Sequence, residues 1–80
     1  NISFNELLIG LFEVEKNLKF KVFESEVDNK QIQNVVLKFN SYENSINALS
    51  IMSEYENLFL RKAFLENNSD SIHLYISIIK

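Results

Sequence analysis

The sequence predicts an α+β fold. A small, mainly antiparallel sheet, built from a hairpin over residues 18–40 and a C-terminal strand over 71–79, packs against an N-terminal helix and a helix within 42–66. Three observations carry this. Apolar residues open the chain at helical spacing, then switch to strict alternation from Leu18, and alternate again from Ser71 to the end. With 80 residues the chain forms one domain, 1–80.

The N-terminal helix begins at a capping box. In Ser3-Phe4-Asn5-Glu6 the serine accepts from the Glu6 amide and the Glu6 side chain reaches back, while Ile2 and Leu7 form a hydrophobic staple. Phe4, Leu7, Leu8, Leu11 and Leu18 follow helical spacing, with Val14 nearby. Gly10 opposes it, at a cost of about 1 kcal/mol relative to Ala. A rival reading ends the helix near Gly10 and makes Leu11–Glu15 a strand.

Lys19, Phe20, Lys21 and Val22 alternate as a half-buried strand does. The break at Val22-Phe23 predicts a bulge or apolar contact on both faces. Asp28-Asn29-Lys30-Gln31 reads as a turn, because Asp and Asn tolerate left-handed backbone. After it, Val35, Leu37 and Phe39 face one way, and Asn34, Val36 and Lys38 the other.

Asn40 or Ser41 caps the second helix, whose stripe runs Ala48, Met52, Tyr55, Phe59 and Ala63. That periodicity favours a helix through the segment. A break near Glu56-Asn57 would instead make Leu58–Leu65 a strand, turning at Asn67-Asn68-Ser69-Asp70. In the last strand, Ile72, Leu74, Ile76 and Ile78 line one face, and His73, Tyr75, Ser77 and Ile79 the other. There is no internal sequence repeat, low-complexity tract or linker. Small charge clusters, Glu13/Glu15 and Glu24/Glu26/Asp28 among them, read as solvated exterior.

Composition excludes much chemistry. The absence of Cys removes thiolate metal sites, disulfides and cysteine nucleophiles. A single Gly cannot form a phosphate loop. With one His, only a carboxylate site for a hard cation stays open, and Glu24, Glu26 and Asp28 at strand spacing are its best candidates. His73 is the sole imidazole base, but nothing singles out a nucleophile beside it. No catalytic residue, metal or cofactor is expected, and the chain is not expected to be an enzyme.

Net charge is −3, from 8 Lys plus Arg against 11 Asp plus Glu, which disfavours nucleic acid as a partner. Lys19, Lys21 and Lys38 near Phe20 and Phe39 could form a basic, aromatic sheet face, but alternation sets the lysines opposite those rings. The element order resembles that of type II KH domains, yet the Gly-x-x-Gly loop such modules need is missing. No apolar stretch is long enough to span a membrane. The first ten residues carry Glu6 and no cation, unlike a signal peptide. The chain does not begin with Met, as expected of a processed chain or a piece of a longer one.

The function expected is therefore non-catalytic protein–protein interaction: a small inhibitor, an immunity-type or antitoxin-type protein, or a subunit of an assembly. Its partner is another protein or a second copy, as a homodimer, and its default location is cytoplasmic. The interaction residues expected are His73, Tyr75 and Ile79, on a C-terminal strand that is either central in the sheet of a monomer or, as favoured here, an edge open to self-association. The alternative is a nucleic-acid-associated regulator; a small enzyme ranks third.

Overall fold

The computed structural model describes residues 1–66 and 70–80. Its elements are α1 (Phe4–Val14), β1 (Lys19–Val27), β2 (Lys30–Phe39), α2 (Tyr42–Met52), β3 (Leu58–Leu65) and β4 (Ile72–Ile79). The four strands form one antiparallel sheet in the order β1-β2-β4-β3. The α+β prediction holds.

Both helices start as the capping rule requires. Ser3 accepts from the Glu6 amide and Ser41 from the Asn44 amide. Ile2 and Leu7 are both buried, consistent with the staple. At the box itself one bond differs: the Ser3 hydroxyl, not its backbone N–H, meets the Glu6 carboxylate, at 3.3 Å. Gly10 does not interrupt α1. A Cβ there would lie 3.8 Å from Ile51 on α2, so the glycine is a point where the helices pass closely.

The β1–β2 hairpin turns on two residues, Asp28 and Asn29, at φ 52° and 66°. Two consecutive left-handed residues match the twist of the flanking strands, as in a type I′ turn. The register runs unbroken from Lys19↔Lys38 to Val27↔Lys30, so Val22-Phe23 marks apolar contact on both faces and no bulge.

The core lies between the helices and one sheet face. Leu7 and Leu11 of α1 and Ala48 and Met52 of α2 pack on Val35, Leu37, Phe39, Leu74, Ile76 and Ile78. Every strand residue named here was assigned to that face by alternation.

Two open readings are decided. The helix expected within 42–66 is α2, which ends at Met52, and of the two readings of residues 57–66 the strand is the one present, Leu58–Leu65. Phe59 and Ala63 continue the helical stripe in sequence, but pairing with β4 satisfies the backbone of the segment. The expected turn before β4 falls, for residues 67–69, outside the described residues. The C-terminal strand is also not an edge. β4 lies between β2 and β3, hydrogen-bonded to both, so its backbone offers nothing to another chain.

The architecture repeats where the sequence does not. An α-β-β unit occurs twice, with β2 and β4 central and β1 and β3 at the two edges.

Candidate interaction surfaces

With both helices on one face, the other face of the sheet is open. Pairing register places His73 beside Lys38 and Phe64, Tyr75 beside Val36 and Lys62, and Ile79 beside Ile32. The three residues expected to mediate interaction thus share one row of the open face, half-buried, on a central strand. His73 stacks on Phe64 at 4.8 Å between ring centres, and its Nε2 lies 3.9 Å from Glu66. Tyr75 meets Phe23 edge-on across β2, at 5.8 Å.

A hydrogen-bond chain crosses the four strands on this face. Arg61 Nε donates to Ser77 Oγ at 3.0 Å, Ser77 Oγ to Asn34 Oδ1 at 2.8 Å, and Asn34 Nδ2 to Ser25 Oγ at 3.0 Å. Asn34 and Ser77 are buried here because the flanking side chains close over them. Sequence alternation marked both as outward and polar, but not their partnership, which depends on strand order.

The same face collects cations. Lys19, Lys21 and Lys38 lie on it by register and, with Val36 and His73, line a depression of about 390 Å3. A bulge in β3 between Leu60 and Lys62 adds Arg61 beside Lys62. Most of these cations already have partners. Lys38 is 2.9 Å from Glu66, whose carboxyl is held below its ordinary range chiefly by that bond. Lys62 sits 5.2 Å over the Phe64 ring, and Arg61 is held by Ser77. Of the acidic cluster, Glu24 accepts from Lys80 at 3.0 Å.

A second surface lies between α2 and β3. Tyr42, Ile46 and Leu49 recur at helical spacing on α2, while Leu58, Leu60 and Leu65 alternate on β3 toward the helix side. Leu49, Met52, Ser53, Leu58 and Leu60 line a groove of about 280 Å3. Exposure is high around it: 48% at Leu60 and 67% at Leu65, with Tyr42 and Ile46 also exposed. Reading 57–66 as helix hid this strip, since only a strand sets Leu60 and Leu65 on the helix side.

Two polar residues that hold these surfaces in place carried no signal in sequence. Glu15, read as part of a solvated cluster, is 7% exposed. It accepts from the Asn40 amide (2.9 Å) and from the Asn40 and Asn44 side chains (both 3.1 Å), joining the end of α1 to the start of α2. These bonds, the Asn40 backbone one foremost, lower its pKa. Asn57 accepts from the Ile2 amide at 2.9 Å and donates to the carbonyls of Ile2 (2.8 Å) and Ile79 (3.1 Å). No buried side-chain polar atom among the described residues lacks a partner.

Comparison with protein-family models, curated proteins and solved structures gave no match to this chain. No helix among the described residues is long and apolar enough to cross a membrane.

Proposed function

We propose that this chain is a non-catalytic protein-interaction module and that the α2–β3 groove docks an apolar segment of another protein. One observation supports the reading above the others: Leu49, Met52, Leu58 and Leu60 line an apolar groove between α2 and β3, and those two elements also expose Tyr42, Ile46 and Leu65. Scattered exposed apolar residues need no explanation, but a contiguous strip at an element boundary is how docking sites differ from ordinary surface. The groove runs beside β3, so an incoming segment gains apolar burial along it.

The cationic sheet face favours a second reading, binding of a nucleic-acid strand. Stacking platforms for single strands combine a basic groove with free aromatic rings. Here Phe64 is taken up by His73 and Lys62, Phe23 and Tyr75 by each other, and Lys38 by Glu66. That face spends its charge and rings internally, so we rank it second.

Site-specific photo-crosslinking tests the first reading. A photoreactive residue at Ile46 or at Leu65 should capture the same polypeptide in extracts of the source cells, and one at Glu13 on α1 should not. Equal capture at Glu13, or none at either groove position, overturns it. A salt-dependent mobility shift with single-stranded nucleic acid would move the second reading ahead.

A further inference from the structure

Charge is sorted between the two faces of the sheet. Six of the eight Lys and Arg residues stand on the open face: Lys19 and Lys21 on β1, Lys30 and Lys38 on β2, and Arg61 and Lys62 at the β3 bulge. Glu24 and Glu26 of β1 alternate to the helix side, and Glu66, just past β3, reaches the open face through Lys38 and His73. A merely solvated face in a chain of net charge −3 would mix both signs. Glu66 cancels Lys38. Ser77 and the Phe64 ring hold Arg61 and Lys62 without cancelling their charge. No acidic group among the described residues pairs with Lys19, Lys21 or Lys30. We infer that this face docks an acidic amphipathic helix of another protein, its apolar strip on the sheet and its carboxylates along both flanks. The surface is separate from the α2–β3 groove, and each proposal stands or falls by its own test.

The cations form two walls with an apolar floor between them. One register row runs Lys21, Val36, Tyr75 and Lys62, so Lys21 and Lys62 are three strand spacings apart, about 14 Å. Lys19 follows Lys21 along one wall, and Arg61 stands beside Lys62 on the other. Between the walls Val36 and Tyr75 are half-buried, and Ile32 and Ile79 extend the floor along the same two strands. Asn34 and Ser77, which interrupt it, bond to each other and need no partner from outside. At one end Lys19, Lys21, Lys38 and His73 enclose Val36 in the depression of about 390 Å3. An α-helix with its side chains is about 10–12 Å across, so it fits between the walls and carries carboxylates to both. Its residues at i, i+3, i+4 and i+7 supply the apolar strip, and the positions beside them the acids.

Other occupants match this surface less well. A second copy would set like charge against like. A nucleic-acid strand would need rings for its bases, and Phe64, Phe23 and Tyr75 are engaged already. An anionic lipid surface would meet the cations and leave the trough between them empty.

Selection from a phage-displayed library of helix-forming peptides, with the purified protein as target, tests this. Selected peptides should carry an excess of Asp and Glu beside an apolar strip. Lys19→Glu/Lys21→Glu should weaken a selected synthetic peptide about tenfold or more. Raising salt from about 0.1 M to about 1 M, which shortens the screening length from about 10 Å to about 3 Å, should weaken binding to the native protein as well. Lys16→Glu/Lys80→Glu makes the same change in net charge at exposed positions off this face, and should leave binding within about twofold. Circular dichroism checks that both variants are folded. Selected peptides without an acidic excess overturn the inference, as do peptides weakened by Leu60→Glu in the groove and not by the Lys19 and Lys21 changes. Tighter binding of an oligo-dT strand or of phosphatidylglycerol vesicles than of the best peptide also overturns it, in favour of nucleic acid or lipid.

Discussion

Glu15→Gln is the most informative single substitution, because it keeps shape and removes only charge and one acceptor. In the native protein one carboxylate oxygen takes the Asn40 amide and the Asn44 side chain, and the other takes the Asn40 side chain. Glutamine can keep the first oxygen's two bonds as neutral ones. Its NH2 then faces the Asn40 donor, and that exposed side chain turns to water. Bonds to a charged group contribute about 1.5–3 kcal/mol and neutral ones about 0.5–1.5, so weakening two and losing one costs about 2 kcal/mol. Helix dipoles barely alter this. The carboxylate sits at the unfavourable end of α1 and the favourable end of α2, effects of about 0.3–1 kcal/mol that oppose each other. For a chain of this size the midpoint should fall by about 8–16 °C, read by thermal denaturation at pH 7. The pH dependence supplies a second check. Glu15 has a folded pKa below its ordinary 4.5, so its contribution is complete above that value and is lost as pH falls through the lowered one. The gap between native and variant should therefore begin to close below pH 4.5 and vanish in stronger acid. Glu66, also lowered, is present in both proteins and drops out of the difference. A gap under about 0.5 kcal/mol at pH 7, or one unchanged in acid, would refute the assigned role.

Two further outcomes follow from packing. Gly10→Ala should stabilise by about 0.5–1 kcal/mol in urea denaturation, because the helix interior favours Ala and the new Cβ meets Ile51 at an ordinary 3.8 Å; destabilisation would mean the helices cannot accommodate a methyl group. Leu37→Ala, at a fully buried position, should cost about 2–5 kcal/mol, and Val36→Ala on the open face clearly less, with the reverse order placing the core on the wrong side of β2.

What the sequence made legible were the local signals. Ser3 and Ser41 placed both helix starts, Asp28-Asn29 placed the hairpin, and alternation separated Leu37 from Val36 correctly. Failures came where a residue's state depends on a distant partner. Residues 58–65 carry apolar positions compatible with either period, and only pairing with β4 decides for strand. Apolar residues on both faces of 72–79 were compatible with a central strand or a covered edge, and only the order β1-β2-β4-β3 decides for the centre. His73, Tyr75 and Ile79 were correctly grouped on one face, but the exposed backbone expected beside them belongs to β1 and β3. Glu15 was misread for the same reason: its three donors lie 25 or more residues away.

The bulge at Arg61 bears on stoichiometry. In the vocabulary of polymer chemistry, a sheet with two receptive edges is a bifunctional monomer, and bifunctional monomers grow without limit into fibrils. Blocking one edge makes the monomer monofunctional, and growth stops at the first bond. Arg61 supplies that block. The extra residue kinks the β3 backbone, and its guanidinium is pinned to Ser77, so a strand approaching this edge meets broken spacing and fixed positive charge. Deleting the one residue would restore regular spacing along β3. Lys62 and Phe64 would keep their partners Tyr75 and His73 and stay on the open face, because the extra residue is the only break in the register. The protein would then be free at both ends of its sheet, and the product of concentration would change from a particle of fixed size to an open chain.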